Sequence, residues 1–274
     1  MRRAAQRAGD VPEDWIEHLM RLGYAAKGVV YGIVGVLAVL AALGSGGETS
    51  DSTGALEAIG EQPFGRILLG LTAVGLLGYV VWRLVQAIRD PDDEGSDAKG
   101  IVKRIGYAVS GVIYLGLTLA AARMALGGSS SGGGSSEQTW TARLLEQPFG
   151  PWLVGIVGLI VVGIGLLHFY QAYTASFMRR YDTGRMDARQ RTWAERLGRF
   201  GLSARGVTFC IIGGFFIQAA RQADPSEAKG LGAAFDTLAA QPFGRWLLAA
   251  VAAGFVAYGA YCLSRARYRS FTAG

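Results

Sequence analysis

Acidic residues are absent from six long apolar blocks of this sequence. Each block holds about 20 residues, which lets a helix rising about 1.5 Å per residue cross a hydrocarbon core about 30 Å thick. A soluble helical protein would interrupt such blocks with a charged outer face. The sequence therefore predicts an all-α integral membrane protein with six transmembrane helices. The predicted spans are 24–44, 66–88, 107–126, 150–173, 202–220 and 244–264.

Histidine and cysteine are also scarce, with two of each in 274 residues. His168 lies in the fourth span without a second histidine, a cysteine pair or a carboxylate in that span, so we expect no metal site. Cys210 and Cys262 lie within spans, where we expect small packing side chains rather than a disulfide. No nucleophile, base and orienting group form a recognisable set. We therefore expect neither an enzyme nor a cofactor.

Basic residues are divided unequally between the two sides of the predicted membrane. If both termini, the second connection and the fourth connection share one side, only six of the 27 Lys and Arg residues lie on the other. The positive-inside rule then predicts cytoplasmic termini. The net charge of +6 is spread over four segments that also carry acids, without a nucleic-acid motif. We expect the lipid bilayer as partner, anionic lipids included, and no nucleic acid. Protein partners are not specified by the sequence. The six Lys and Arg residues on the side opposite the termini are Arg66, Arg123, Arg143, Arg221, Lys229 and Arg245.

Two motifs recur three times in the same order. A Gly-x-x-x-x-Gly-Val-x-aromatic pattern opens each odd-numbered span, and a Gln-Pro-Phe-Gly turn precedes each even-numbered span. Such repeats predict three units of two spans each. Because each unit has an even number of spans, we expect parallel repeats about a pseudo-threefold axis along the membrane normal. The units are 1–97, 98–182 and 183–274, and their turns contain Pro63, Pro148 and Pro242.

Local signals predict how each span begins. Trp15 and Trp193 precede the first and fifth spans at the same distance, which predicts a short interfacial helix before each of these spans. In the first unit, Asp10 and Glu13 have capping-box spacing, with Pro12 in the first turn. In the Gln-Pro-Phe-Gly turn we expect proline to preset φ, glycine to permit a tight bend, and phenylalanine to anchor the outer interface.

The repeated motifs resemble those of a family of bacterial membrane proteins known as domain of unknown function 1206. The resemblance covers about residues 15–268. Leu202 stands where the first and second units have a tyrosine after the first motif glycine, and Ser110 stands where the first and third units have a basic residue before the second motif glycine. It implies a bacterial inner-membrane protein built from three copies of a two-span unit. It implies no activity.

Lys27 and Arg205 hold corresponding positions in the first and third units, each directly before a motif glycine. In one interpretation, Gly28, Gly111 and Gly206 make equivalent close contacts with a neighbouring helix. The two cations then snorkel to the cytoplasmic headgroups.

In a second interpretation, the cations within the spans converge. Arg83 and His168 hold corresponding positions in the second and fourth spans, at the depth of Lys27 and Arg205. Packing about a common axis would gather these four residues into a basic pocket, rimmed by tyrosine and open to the cytoplasm. Such a pocket would suit an anionic solute or a lipid headgroup.

Two functions therefore remain open at the level of the sequence. The first is a non-enzymatic structural, partner-binding or lipid-binding membrane protein. The second is a channel or carrier for a small anionic solute, with a basic cytoplasmic vestibule. An axis filled by Leu, Val and Ile would favour the first, whereas a water-wide cavity lined by cations would favour the second.

Overall fold

The computed structural model describes residues 13–44, 49–128 and 136–269. These residues form nine α-helices, six of which are long and apolar enough to cross a membrane. The prediction of an all-α chain with six such helices is confirmed. The long helices are α1 Glu13–Leu43, α3 Gly65–Arg89, α4 Ala98–Ala125, α6 Gly150–Thr174, α7 Ala188–Gln222 and α9 Gly244–Tyr268. The short ones are α2 Ser52–Gly60, α5 Ser136–Leu145 and α8 Leu231–Ala239.

The interfacial helices predicted before the first and fifth spans are not separate elements. Trp15 lies in α1 and Trp193 in α7, and each of these helices runs without a break into its span. No proline interrupts either segment, so the backbone hydrogen bonds of the leader continue into the span. Asp187 and Gln190 form a capping box at the start of α7. The cap predicted around Asp10 lies outside the described residues.

The Gln-Pro-Phe-Gly turn, called the elbow below, bends at phenylalanine and not at glycine as predicted. Phe64 has φ 62° and ψ 22°, a left-handed conformation that side chains seldom adopt. The amide nitrogen of Gly65 donates to the carbonyl oxygen of Gln62 at 2.8 Å and closes the turn. A Cβ on Gly65 would collide with the carbonyl oxygen of Gly60, which explains the glycine. The other two elbows repeat this geometry at Phe149 and Phe243.

A short helix precedes each elbow and packs on the long helix that follows it. Leu56 in α2 and Phe235 in α8 are fully buried. Thr141 of α5 holds the equivalent position in the middle unit and is also fully buried, while the adjacent Trp140 is exposed. The middle unit therefore differs in having a polar residue at this buried position.

The long helices pack mainly between neighbouring units. The most extensive contacts join α3 to α4, α6 to α7, and α9 to α1, so each even-numbered span lies on the odd-numbered span of the next unit. Within units, α1 packs on α3 and α7 packs on α9. The corresponding helices of the middle unit, α4 and α6, are not among the packed pairs of the described chain.

An apolar core fills the half of the bundle nearer the elbows. Along α1, Val30, Val34, Ala38 and Ala42 are all buried in it. Leu56 and Phe235 close this core from the short helices, and Phe235 packs edge-on against Phe255 at 5.2 Å between ring centroids. The buried cations of the first and third units, Lys27 and Arg205, lie in the opposite half.

Candidate functional site

Lys27 lies at the centre of a group of tyrosine rings. Its side chain is 4% exposed, and its Nζ donates to Tyr79 Oη at 3.0 Å. The ammonium also lies 4.6 Å from the Tyr79 ring centroid and 4.8 Å from that of Tyr114. Tyr31 and Tyr258 are slightly farther away, at 5.7 and 5.6 Å. Negative ring faces therefore surround the charge, and the side chain turns inward instead of snorkelling.

Arg205 occupies the equivalent position on α7 and shares two of these rings. Its guanidinium carbon lies 4.5 Å from the Tyr258 centroid and 4.9 Å from those of Tyr31 and Phe209. The side chain is 7% exposed, yet Nε and Nη1 have no hydrogen-bond acceptor among the described residues. Tyr31 and Tyr258 thus bring Lys27 and Arg205 together in one cluster.

Arg83 joins the same cluster from α3. Its Nε donates to Tyr79 Oη at 2.8 Å, and its Nη1 donates to Gln86 Oε1 at 3.0 Å. Tyr79 therefore accepts hydrogen bonds from both Arg83 and Lys27. Tyr107 covers the other side of the Arg83 guanidinium at 5.1 Å. The predicted tyrosine rim is incorrect in this respect, since the tyrosines lie between the cations.

Arg265 brings a fourth cation from α9. It lies 4.5 Å from the ring centroid of Tyr24, and its Nη1 donates to Tyr261 Oη at 3.3 Å. Its Nε and Nη2 are buried and have no acceptor among the described residues. We call Lys27, Arg83, Arg205 and Arg265, with the tyrosines around them, the cation cluster.

Two carboxylates form the rim of the cluster at the end of the bundle opposite the elbows. Asp92 accepts two hydrogen bonds from Arg269 Nη2, at 2.8 and 3.0 Å. Glu94 pairs with Arg180 at 2.6 Å and with Lys103. Burial opposes ionisation of Asp92, but the guanidiniums of Arg269 and Arg180 outweigh it and hold the pKa of this carboxyl below its usual range.

His168 lies beside the cation cluster and not at its centre. Its ring packs edge-on against Phe209 at 5.3 Å, and Arg205 contacts the same phenylalanine. His168 Nδ1 is buried without a hydrogen-bond partner among the described residues. Of the four residues predicted to converge, the structure brings Lys27, Arg83 and Arg205 into shared contacts, with His168 adjacent.

The three motif glycines pack on equivalent helices but not equally closely. A Cβ on Gly28 would lie 2.8 Å from the carbonyl oxygen of Gly259, and one on Gly206 would lie 2.9 Å from the ring of Phe169. A Cβ on Gly111 would lie 3.4 Å from the Arg83 Cβ, which is an ordinary contact distance. We expected equivalent close contacts at all three glycines, but Gly111 makes a looser contact than Gly28 and Gly206.

Sequence reasoning missed part of the site. Arg269 and Arg180 lie beyond the apolar blocks, where they counted only as evidence for orientation. Asp92 is one of several acids between the second and third predicted spans, a segment that also carries basic residues. The connections contain both acids and arginines, which indicates that ion pairs can form there. The sequence does not specify which acid pairs with which arginine in the folded protein.

Within the described ranges, no group of three or more His, Cys, Asp or Glu residues could hold a metal ion. Cys210 and Cys262 are free thiols, and Cys262 is buried beside Tyr258 and Tyr261.

Comparison with known proteins identifies the repeats. The family described as Domain of Unknown Function (DUF1206) matches three tandem regions, 22–90, 105–175 and 200–269. The chain belongs to this family. A relative from Bacillus subtilis (strain 168), described as "Uncharacterized protein YxxB", is 38% identical over 258 residues, which cover 94% of this chain and 93% of the relative. No solved structure matches this chain. The four cations of the cluster all lie within the DUF1206 regions, whereas Arg180 lies outside them.

Proposed function

We propose that this DUF1206 protein is a non-enzymatic membrane protein that binds a phosphate-bearing anion in the cation cluster. One observation carries the proposal. Lys27, Arg83, Arg205 and Arg265 are gathered in one part of the bundle, and none has a carboxylate oxygen within 4.0 Å among the described residues. Buried like charges repel unless an anion joins them, so the cluster favours a negatively charged ligand.

The unpaired donors favour a planar group of anionic oxygens. Nε and Nη2 of Arg265 lie on one edge of the guanidinium, the edge that binds phosphate or carboxylate through two parallel hydrogen bonds. Arg205 contributes two further donors without acceptors. The tyrosine hydroxyls around Lys27 add neutral donors that suit the same oxygens.

The arrangement of the units supports a binding site shared by all three. We propose parallel repeats about a pseudo-threefold axis, because α3, α6 and α9 each pack on the first helix of the next unit and α9 closes on α1. We also propose an inner-membrane location with both termini in the cytoplasm, on the distribution of basic residues. The cation cluster then lies in the cytoplasmic half.

Binding is better supported than conduction. The half of the bundle beyond the cluster is packed with apolar side chains, from Val30 to Ala42 along α1 and across to Phe255 on α9. A conducting pathway would have to pass through this core. The anion channel considered from the sequence is therefore the weaker proposal.

The test compares anion binding by the wild-type protein and by Lys27→Gln/Arg205→Gln. Native mass spectrometry of detergent-purified protein would measure retention of phosphatidylglycerol, with phosphatidylcholine as the uncharged comparison. We expect the double variant to lose affinity for phosphatidylglycerol about tenfold, or about 1.4 kcal/mol. A parallel titration with inorganic phosphate distinguishes a soluble anion from a lipid headgroup.

The matched control is Arg123→Gln/Arg221→Gln, which removes the same charge from exposed positions at the opposite end of the bundle. This control should bind as the wild type does. If the cluster variant does not fold, Arg265→Gln takes its place, because this change removes donors that have no acceptor. Unchanged binding of both phosphatidylglycerol and phosphate in a folded cluster variant would disprove the proposed function.

A further inference from the structure

The middle unit carries larger residues at positions where the spans of the other two units meet at a small pair. In the first unit, Ala26 of α1 faces Gly75 of α3, and a Cβ on this glycine would lie 2.5 Å from the Ala26 Cβ. The third unit repeats the pair with Ala204 and Gly254. Small residues of this kind let helices approach closely. The middle unit has Val109 and Ile160 at these positions.

No contact of comparable extent joins α4 to α6 among the described residues, so the series of packed long helices α4, α3, α1, α9, α7 and α6 stays open between its two ends. Val109 is 52% exposed and Ile160 is 57% exposed. Gly106 corresponds to Gly23, whose Cβ would collide with α3, yet no atom of the described residues lies within 4 Å of a Cβ on Gly106. Gly163 on α6 is equally open. We call the space between Gly106, Val109, Ile160 and Gly163 the middle gap.

The middle gap leads to the cation cluster. Arg205 contacts the ring of Tyr31, whose hydroxyl accepts a hydrogen bond from Tyr114 on α4 at 3.0 Å. It also contacts the ring of Phe209, which packs against His168 on α6 at 5.3 Å between ring centroids. Arg205 is more than nine-tenths buried and has two donors without an acceptor among the described residues. Ser110 stands on α4 where the other units carry Lys27 and Arg205, so no third cation occupies this side.

We propose that the ligand is an anionic glycerophospholipid, which enters sideways through the middle gap with its phosphate at Arg205 and an acyl chain between α4 and α6. This inference rests on the proposed function and names its ligand class. The middle gap matches the acyl chain of such a lipid, and the cation cluster matches its anionic headgroup. Branched aliphatic side chains line the gap, and unpaired guanidinium donors lie at its inner end.

A second copy of the chain matches the same surface less well. Its spanning helices could cover Val109 and Ile160, but the apolar blocks contain no Asp or Glu. A spanning helix of another copy would therefore leave Arg205 without an anionic acceptor. A lipid supplies both the acceptor and the apolar chain.

The test fills the gap without overpacking the protein. Gly106→Leu/Gly163→Leu places side chains where nothing lies within 4 Å, and both positions gain helix propensity. Gly70→Leu, at an equally open glycine on α3, is the matched control. Native mass spectrometry would measure binding of dioleoyl phosphatidylglycerol and of its soluble headgroup, glycerophosphoglycerol, to each variant and to Arg205→Gln.

We expect the gap variant to lose phosphatidylglycerol affinity about tenfold, while Gly70→Leu binds as the wild type does. Binding of the soluble headgroup should be unchanged in the gap variant and weakened in Arg205→Gln. Undiminished lipid binding in the gap variant, with Arg205→Gln still impaired, would overturn sideways entry but leave the proposed function. Wild-type binding of both ligands by Arg205→Gln would count against the proposed function itself. A wild-type dimer that the gap variant abolishes would assign the gap to a second copy.

Discussion

Asp92 is the carboxylate partner of a cation outside the cluster, whereas the four cations of the cluster have no carboxylate partner among the described residues. It neutralises Arg269, whose side chain is buried and also donates to Tyr24 Oη at 2.6 Å. We expect Asp92→Asn to destabilise the purified protein by about 3 kcal/mol, because it leaves a buried guanidinium without its carboxylate. Thermal unfolding in detergent at neutral pH would measure the loss. Asp93→Asn, at an exposed carboxylate of the same connection, should unfold as the wild type does.

The ionisation of Asp92 should make the stability of the protein depend on pH. Since the folded protein lowers the Asp92 pKa, its stabilising contribution is complete above the ordinary aspartate value of about 3.9 and is lost as pH falls through the lower, folded value. The difference in melting temperature between the wild type and Asp92→Asn should therefore be constant above about pH 4 and shrink below it. A difference that instead grows on acidification would contradict this assignment.

The sequence was sufficient to identify site residues that occupy equivalent positions in different repeats. Lys27 and Arg205 were found because both precede a motif glycine, and the structure joins them through Tyr31 and Tyr258. Arg269 could not be found in this way, because its partner Asp92 lies in another unit. Pairing between units depends on the packing of whole helices, which a local pattern does not contain.

Among the helices, the contact of α1 with α9 is closer than the contact of α4 with α3. We therefore expect opposite effects from one substitution at equivalent positions. Gly28→Ala should destabilise the protein by about 1–3 kcal/mol, because its Cβ meets the Gly259 carbonyl oxygen. Gly111→Ala should be neutral or stabilising by up to about 1 kcal/mol, because it gains helix propensity without a clash. Thermal unfolding of the two variants under identical conditions decides the point, and equal losses would show that the two contacts are equivalent after all.

The spans were predictable because a membrane helix needs only length and apolar composition. Their beginnings were less predictable. The amphipathic leader around Trp15 has the pattern of a separate interfacial helix, but backbone hydrogen bonding continues through it because no residue stops the helix. The elbow has a glycine, yet Phe64 takes the left-handed conformation. Close approach of the Gly60 carbonyl requires the glycine instead, and the sequence does not reveal that contact.

For the molecule as a whole, orientation remains a prediction from charge. With Cys210 and Cys262 changed to Ala, a single cysteine would be introduced at Ser96 or at Ser226, which are exposed at opposite ends of the bundle. We expect an impermeant thiol reagent to label the Ser226→Cys protein in intact cells and the Ser96→Cys protein only after permeabilisation. The reverse labelling pattern would place the cation cluster in the outer half of the membrane.

The order of the helices around the bundle was only partly accessible from the sequence. Three similar units suggested symmetry, and the contacts between neighbouring units follow one rule at all three junctions. The separation of α4 from α6 was not anticipated. Val109 and Ile160 stand where the other units have a small pair, and this difference acquires meaning only when the packing of Ala26 against Gly75 is known.

Closure of α9 on α1 has a consequence for how the protein is made. The ribosome releases the first span early, whereas the rings that surround Lys27 arrive later, with Tyr79, then Tyr114, and last Tyr258 on the sixth span. Until then, the lysine can keep its charge at the membrane surface through its flexible stem. The shell of rings around Lys27 is therefore complete only after the sixth span has been translated.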